Sequence, residues 1–285
     1  MYAWVATGEA VAADPASNLV DLDTATISIR DHGFTVGDGL FEAMKVVDGD
    51  AFAPSRHLRR LRDSAGALGL EVPSDDILLG ALNSVLQANA DELGHIARVR
   101  LTITGGIGPA GTDRGADGPS LVIVAGPARA WAPSCRIATV PWARNDVGAL
   151  AGIKSTSYAD NVIALATAKK AGADEAVMPN TRGHLCEGTG TNVFVVIDGV
   201  MHTPPLSSGC LGGITRELVV EWMDVRETDL PIAVLQSADE IFVTSSTRDI
   251  QAVSWVDGRE LVAPGPVTAD AIELFAQRAA LTMDP

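Results

Sequence analysis

Two stretches of helical periodicity lying between β-branched runs constrain this chain more than any other feature. Over residues 55–68, Leu58, Leu61, Ala65 and Leu68 fall on one face, and Gly69 stops the helix. Over 75–90, Ile77, Leu78, Ala81, Leu82 and Val85 do the same. Residues 26–30 and 40–47 read as strands, with Val36-Gly37-Asp38-Gly39 as a turn between them and Asp48-Gly49-Asp50 as a hairpin turn. A further strand over 98–104 sets Val99, Leu101 and Ile103 on one side, and 120–125 is apolar enough to be buried on both faces. Strands mixed with helices in this way predict an α/β or α+β protein.

The pattern repeats after an interruption. Gly-Pro-Ala-Arg-Ala-Trp-Ala-Pro at 126–133 reads as a linker, so the expected domains are 1–125 and 134–285. The second part has predicted strands at 137–140, 192–197 and 240–244, and predicted helices at 157–171, 215–223 and 268–280. With 285 residues, 47% hydrophobic and 20% charged, the chain is expected to be globular. Its 28 glycines and 5% aromatics suit an enzyme with many tight loops better than a β-sandwich.

Charge narrows the partners. Against 36 acidic residues stand 21 basic ones, a net −15 that disfavours nucleic acid and anionic membranes. An anionic ligand must therefore be caught by a few local donors. Cys135, Cys186 and Cys210 are odd in number and lack close pairing, which points to a reducing compartment. Residues 1–14 show no export signal, and no apolar run has the length of a membrane helix. A cytoplasmic protein is expected.

Several motifs carry chemistry. Gly106-Ile107-Gly108-Pro109-Ala110-Gly111 matches the dinucleotide pattern, but the following residues are turn-rich where that pattern must open a helix, so it reads as a flexible loop over a cleft. In 208–216, glycines release into a helix, and the N–H groups of Ile214 and Thr215 with the Thr215 hydroxyl make an anion site suited to phosphate. Thr244-Ser245-Ser246-Thr247 follows a strand; its hydroxyls would serve the same anion or cap the next helix. Lys154, amid small and hydroxyl residues, is either a snorkelling surface lysine or, if desolvated, a Schiff-base nucleophile. Glu187 lies beside glycines that would let a ligand approach the backbone. His184 and Cys186 lack a second ligand pair, so no metal is expected.

In this order the pieces resemble the class IV aminotransferases, the fold-type IV enzymes dependent on pyridoxal 5′-phosphate. Four blocks carry the resemblance: Asp31-His32-Gly33-Phe34-Thr35-Val36-Gly37-Asp38-Gly39-Leu40-Phe41-Glu42, His57-Leu58-Arg59-Arg60-Leu61, Lys154 through Asn161, and Glu187-Gly188-Thr189-Gly190-Thr191-Asn192-Val193-Phe194 continuing to Gly213-Ile214-Thr215-Arg216. The resemblance implies a smaller N-terminal domain, a larger C-terminal one, the cofactor in the cleft between them, and a homodimer. It implies that Lys154 binds the cofactor covalently and then shuttles a proton. Glu187 would hold the pyridinium nitrogen. Arg60, Ile214, Thr215 and Ser246 would bind the phosphate, and Tyr158 would reach the phenolic oxygen. Outside the motif, Arg60 would instead pair with an acid such as Asp63.

The family spans transaminases for branched-chain L-amino acids, D-amino acids and R-amines, together with aminodeoxychorismate lyases. The Arg-x-His pair of familiar D-amino-acid enzymes is not reproduced over 105–115, where Arg114 has no histidine, and Phe41 stands where their substrate tyrosine would. Thr203-Pro204-Pro205 approaches the branched-chain pattern, and Arg98-Val99-Arg100-Leu101 that of some lyases. A substrate carboxylate needs a donor: Arg98 and Arg100 share a strand face, and Arg30 ends a strand. The expected reaction passes an amino group from a small amino acid of the D series to a 2-oxo acid. The lyase and the branched-chain transaminase are the alternatives, and a non-catalytic cofactor carrier would need no freed lysine.

Overall fold

The computed structural model describes residues 1–12, 15–128 and 130–285. Ala13, Asp14 and Arg129, which fall within the export-signal reading and the expected linker, lie outside the described residues. The chain forms two compact units: Met1–Ala130 with Ile153–Ser157 and Met283–Pro285, and Trp131–Gly152 with Tyr158–Thr282.

The first unit is built on strands β1 (Tyr2–Thr7), β2 (Leu19–Asp21), β3 (Gly39–Val47), β4 (Asp50–Ala51), β5 (Ile96–Thr104) and β6 (Ser120–Pro127). They form an antiparallel sheet in the order β2-β1-β6-β5-β3-β4. Helices α1 (His32–Thr35), α2 (Pro54–Leu68), α3 (Asp75–Ala88) and α4 (Ala90–Leu93) complete it. Alternation along β5 buries Ala97, Val99, Leu101 and Ile103 with Leu58 and Leu61 of α2 and Leu78 and Leu82 of α3. Each such leucine contributes about 1.5–3 kcal/mol by leaving water. The opposite face carries Phe41 across from Thr102, Ala43 across from Arg100 and Lys45 across from Arg98. Gly69 ends α2 in the left-handed conformation (φ 61°), as a C-terminal glycine does.

The second unit contains β7 (Ser134–Thr139), α5 (Ala159–Lys170), β8 (Glu175–Pro179), β9 (Leu185–Gly188), β10 (Asn192–Ile197), β11 (Val200–Thr203), α6 (Ile214–Trp222), β12 (Val225–Glu227), β13 (Glu240–Ser245), β14 (Asp249–Val256), β15 (Arg259–Glu260) and α7 (Pro266–Ala279). Its sheet runs β12-β11-β10-β13-β14-β7-β8-β9, and β9 pairs back onto β10 through Glu187 and Asn192. That pairing closes the path into a ring filled by Ile137, Val177, Val193, Ile241, Val243 and Val253. Strand β7 lies parallel to both β14 and β8. Among the described residues no helix is long and apolar enough to cross a membrane.

Expectations for one strand, one helix cap and the linker are corrected. Residues 26–30 are not a strand: Ile27 and Ile29 are exposed, so nothing rewards the extended form, and the Asp31 N–H turns back to the Ser28 carbonyl at 3.0 Å. As its turn-rich sequence led one to expect, no helix follows Gly111, and the chain continues to β6. Only the start of the 106–111 loop is tightly packed: a Cβ on Gly106 would lie 1.9 Å from the Gly118 carbonyl oxygen, whereas Pro109, Ala110 and Gly111 are exposed. Finally, no helix follows β13 for the 244–247 hydroxyls to cap, since a turn leads directly into β14. Of the expected linker, Gly126 and Pro127 belong to β6.

Candidate active site

Lys154 sits in the first unit because its segment extends the free edge of β3. The Phe41 N–H donates to the Lys154 carbonyl (3.0 Å), Thr156 N–H to Gly39 (2.8 Å), and the Thr156 hydroxyl to Gly37 (2.8 Å). A Cβ on Gly39 would lie 2.7 Å from the Ile103 carbonyl oxygen and 3.1 Å from Thr156 Oγ1. The glycines of Val36-Gly37-Asp38-Gly39 therefore form a seat for the lysine segment, a role beyond the turn the sequence suggested. The Lys154 ammonium lies 4.4 Å from the Phe41 ring centroid, and the Arg100 guanidinium 3.7 Å from it. Cations held over a ring face gain about 0.5–2 kcal/mol.

Behind this face, Glu42 is buried on β3 between two partners from α2. Arg60 donates from Nε (2.8 Å) and Nη2 (2.5 Å) to the two carboxylate oxygens, and His57 Nδ1 lies 2.6 Å from Oε2. Burial would raise the Glu42 pKa, but Arg60 and the His57 hydrogen bond outweigh it and hold the carboxyl down to about 2. Burial lowers His57, so it is neutral and donates. The acid paired with Arg60 is thus Glu42, not Asp63. Sequence reasoning gave neither Glu42 nor His57 a role; the available signal was a carboxylate in register with inward-facing Leu40, Met44 and Val46.

In the second unit Glu187 is 4% exposed, at the strand pairing that closes the ring. Arg144 Nε donates to its Oε1 (2.7 Å) and the Leu211 N–H to its Oε2 (2.9 Å), and a carboxylate can accept more than two such bonds. Burial disfavours the Arg144 charge, but Glu187 and then Tyr158 more than compensate, and its pKa rises. Arg144 Nη1 also donates to Asn161 (3.1 Å), whose amide donates to the Thr189 carbonyl (2.7 Å). Arg144 had no motif to mark it. Tyr158 precedes the first turn of α5.

The anion-binding candidates belong to the same unit. Helix α6 begins at Ile214 after Gly213, with no side-chain cap. The N–H groups of Ile214 and Thr215 therefore lie in the turn where a helix has no internal acceptor to offer them. Asn192 fixes the approach by donating to the Leu211 carbonyl (2.7 Å), and a Cβ on Gly213 would strike its Oδ1 at 2.0 Å. Ser246 lies in the turn closed by the Arg248 N–H on the Ser245 carbonyl (3.1 Å). An accepting carboxylate and uncapped helix N–H groups suit a cofactor with a protonated ring nitrogen and a phosphate.

The other arginines differ in setting. Arg30 and Arg98 are exposed, Arg100 is half-buried, and its Nε donates to Thr102 (3.1 Å). Arg114 is committed elsewhere, to both oxygens of Asp38 (2.7 Å each) and to the carbonyls of Leu68 and Gly69. Thr203-Pro204-Pro205 serves the fold: the Thr203 hydroxyl donates to Val193, and Pro204 accepts from Arg216 (2.7 Å). The glycine beside Glu187 makes room for protein, not ligand: a Cβ on Gly188 would lie 2.1 Å from Thr191 Oγ1. Among the described residues no cluster of three His, Cys, Asp or Glu is placed to hold a metal.

Comparison with known proteins finds relatives along most of the chain. A protein of Methanocaldococcus jannaschii, provisionally named a branched-chain-amino-acid aminotransferase, is 35% identical over 251 residues, covering 84% of this chain and 86% of its own. A D-alanine aminotransferase of Listeria monocytogenes is 29% identical over 281 residues, 92% of this chain and 93% of its own. A Legionella pneumophila structure, provisionally named a 4-amino-4-deoxychorismate lyase, superposes with a TM-score of 0.84 at 27% identity, covering 90% of this chain and 97% of its own. The T.th. branched-chain amino acid aminotransferase, complexed with N-(5'-phosphopyridoxyl)-L-glutamate, gives 0.85 at 25% identity over 98% and 93%. The model of the amino-transferase class IV family matches residues 39–256, well over half the chain, and so the protein belongs to that family, as its four motif blocks led one to expect.

Proposed function

We propose that this class IV aminotransferase, dependent on pyridoxal 5′-phosphate, takes small amino acids of the D series as donors and 2-oxo acids as acceptors. The observation that carries the amino-acid reading is the pair of cations on Phe41, Lys154 at 4.4 Å and Arg100 at 3.7 Å from one ring. A guanidinium there binds a carboxylate while the neighbouring amine works at the adjacent Cα. Support for the D series is the likeness to D-alanine aminotransferase along 92% of the chain. With Arg114 tied to Asp38, the carboxylate falls to Arg100.

When bound, the cofactor supplies an electron sink for the bond broken at the substrate Cα. Lys154 holds it through Nζ and, once released, takes and returns the Cα proton. Glu187, hydrogen-bonded to Arg144, holds the proton on the ring nitrogen, and Tyr158 addresses the phenolic oxygen. Ile214 and Thr215 N–H groups and the Ser246 hydroxyl bind the phosphate, joined by Arg60 through the N–H groups that its pairing with Glu42 leaves over. The partner is a second copy of the chain, testable by sedimentation, and the reduced state of three buried cysteines supports a cytoplasmic site.

The branched-chain L-amino-acid reading is favoured by the 35% identity to the Methanocaldococcus protein, and the lyase reading by the Legionella structure. A panel of D-alanine, D-glutamate, L-leucine, an R-amine and aminodeoxychorismate separates them. Oxo-acid-dependent transfer fastest from the D-amino acids is expected. Faster transfer from L-leucine, or pyruvate release without an acceptor, would overturn the D-series reading. Lys154→Ala should lose both turnover and the borohydride-fixed adduct. Arg100→Ala should raise KM for amino acids about 10- to 100-fold, the loss of a hydrogen bond to a charged group, and spare an uncharged amine.

A further inference from the structure

Glu175, on β8, is 1% exposed and has no place in the chemistry above. Its carboxylate is nonetheless wrapped by the turn that follows Glu187. Oε1 accepts from the Thr189 N–H (3.1 Å), the Thr189 hydroxyl and the Ala176 N–H (3.0 Å). Oε2 accepts from the Thr191 hydroxyl (3.4 Å) and from Arg248 Nη2 (3.3 Å). Gly188 closes this turn with its N–H on the Thr191 carbonyl (2.8 Å), and any Cβ there would meet Thr191 Oγ1. Gly188 and the hydroxyls of Thr189 and Thr191, in a stretch the sequence opens to a ligand, hold an internal carboxylate.

Arg248 extends the link. Its guanidinium stacks on Trp131 (3.9 Å) and donates to Gln251 (2.8 Å), and its backbone N–H closes the turn that contains Ser246. One buried carboxylate therefore fastens two turns, one directly following Glu187 and the other containing Ser246. It also reaches Glu187 by a second route, because the Thr189 carbonyl accepts from Asn161, which holds Arg144 against Glu187.

We propose that Glu175 is a positioning residue that fixes the spacing between the residue serving the cofactor ring nitrogen and the hydroxyl serving its phosphate. The proposal rests on the roles given to Glu187 and Ser246. Losing the carboxylate frees both ends at once, so a change should appear in cofactor affinity and in the protonation of the ring together. Replacing a residue that orients a ligating group typically costs about 10- to 100-fold in affinity or activity.

The test compares holoenzyme of wild type, Glu175→Gln, Thr189→Val and Glu187→Gln with Val253→Ala, a core substitution in the same unit. Three quantities are measured: the pH titration of the cofactor's visible band, the Kd for pyridoxal phosphate of the reconstituted apoprotein, and Tm. Glu175→Gln should raise Kd about 10-fold or more and displace the band titration in the direction seen for Glu187→Gln. Val253→Ala should lower Tm without moving either. Titration and Kd like wild type, or equal changes in Val253→Ala, would overturn the proposal. Should Glu175→Gln fail to fold, Thr189→Val decides in the same way: a shift toward Glu187→Gln supports it and a wild-type band overturns it. If Glu187→Gln itself leaves the titration unchanged, the reading of Glu187 fails, and the proposal fails with it for that separate reason.

Discussion

Glu42 shows at the scale of one residue how a charge is kept inside an apolar face. A lone carboxylate there would take up a proton; with Arg60 on both oxygens and His57 on one, it stays ionised down to about 2. The folded pKa lies below the unfolded one, so the stabilisation is full above about pH 4.5 and is lost as pH falls toward 2. A displacement from 4.5 to about 2 corresponds to about 3 kcal/mol. His57 acts in the same direction, because burial lowers its pKa and the unfolded chain binds that proton first as pH drops below 6.5. Glu42→Gln should therefore cost about 3–5 kcal/mol at pH 7 by leaving the largely buried Arg60 (12% exposed) without its counter-charge. Urea midpoints should show the gap to wild type closing between pH 4.5 and 2; a gap of constant size would refute the assignment.

At the scale of elements, the placement of Lys154 depends on strand pairing more than on its neighbours in sequence. Gly39→Ala would push a methyl group against the Ile103 carbonyl and Thr156 Oγ1, displacing the segment that carries the amine. A misplacement of about 1 Å costs roughly 100-fold in rate, so turnover should fall by that order with circular dichroism unchanged. Unchanged turnover would mean that the seat does not set the amine's position. That seat was not legible in the sequence, since a glycine at a strand edge looks the same whether it turns the chain or admits another segment. Elements with a strong period were legible: 55–68, 75–90 and 192–197 correspond to α2, α3 and β10, whose apolar faces are the buried ones. Residues 26–30 had strand-forming types without burial, and β8 and β14 were missed although they hold Glu175 and flank Arg248. The motif blocks brought out Lys154 and Glu187; Arg144 and Glu175 act through pairings that only the folded chain creates.

The whole molecule sets the terms on which its substrates arrive. Amino acids, at neutral overall charge, feel little of a net −15, but a 2-oxo acid is an anion and a dicarboxylic one is doubly so. At about 0.01 M salt the screening length is near 30 Å and at about 0.1 M near 10 Å, so added salt shortens the repulsive field to distances where Arg100 can dominate. The kcat/KM for a dianionic acceptor should therefore rise several-fold over that range, that for a monoanionic acceptor less, and that for the amino donor hardly at all. Arg100→Ala should lower kcat/KM at every salt concentration while leaving the upward slope in place, because the slope belongs to charges spread over the chain and the offset to one guanidinium. Measured at fixed pH with an inert salt, a kcat/KM that falls as salt is added, most steeply for the dianion, would show that the local arginines outweigh the field of the other charges even at long range.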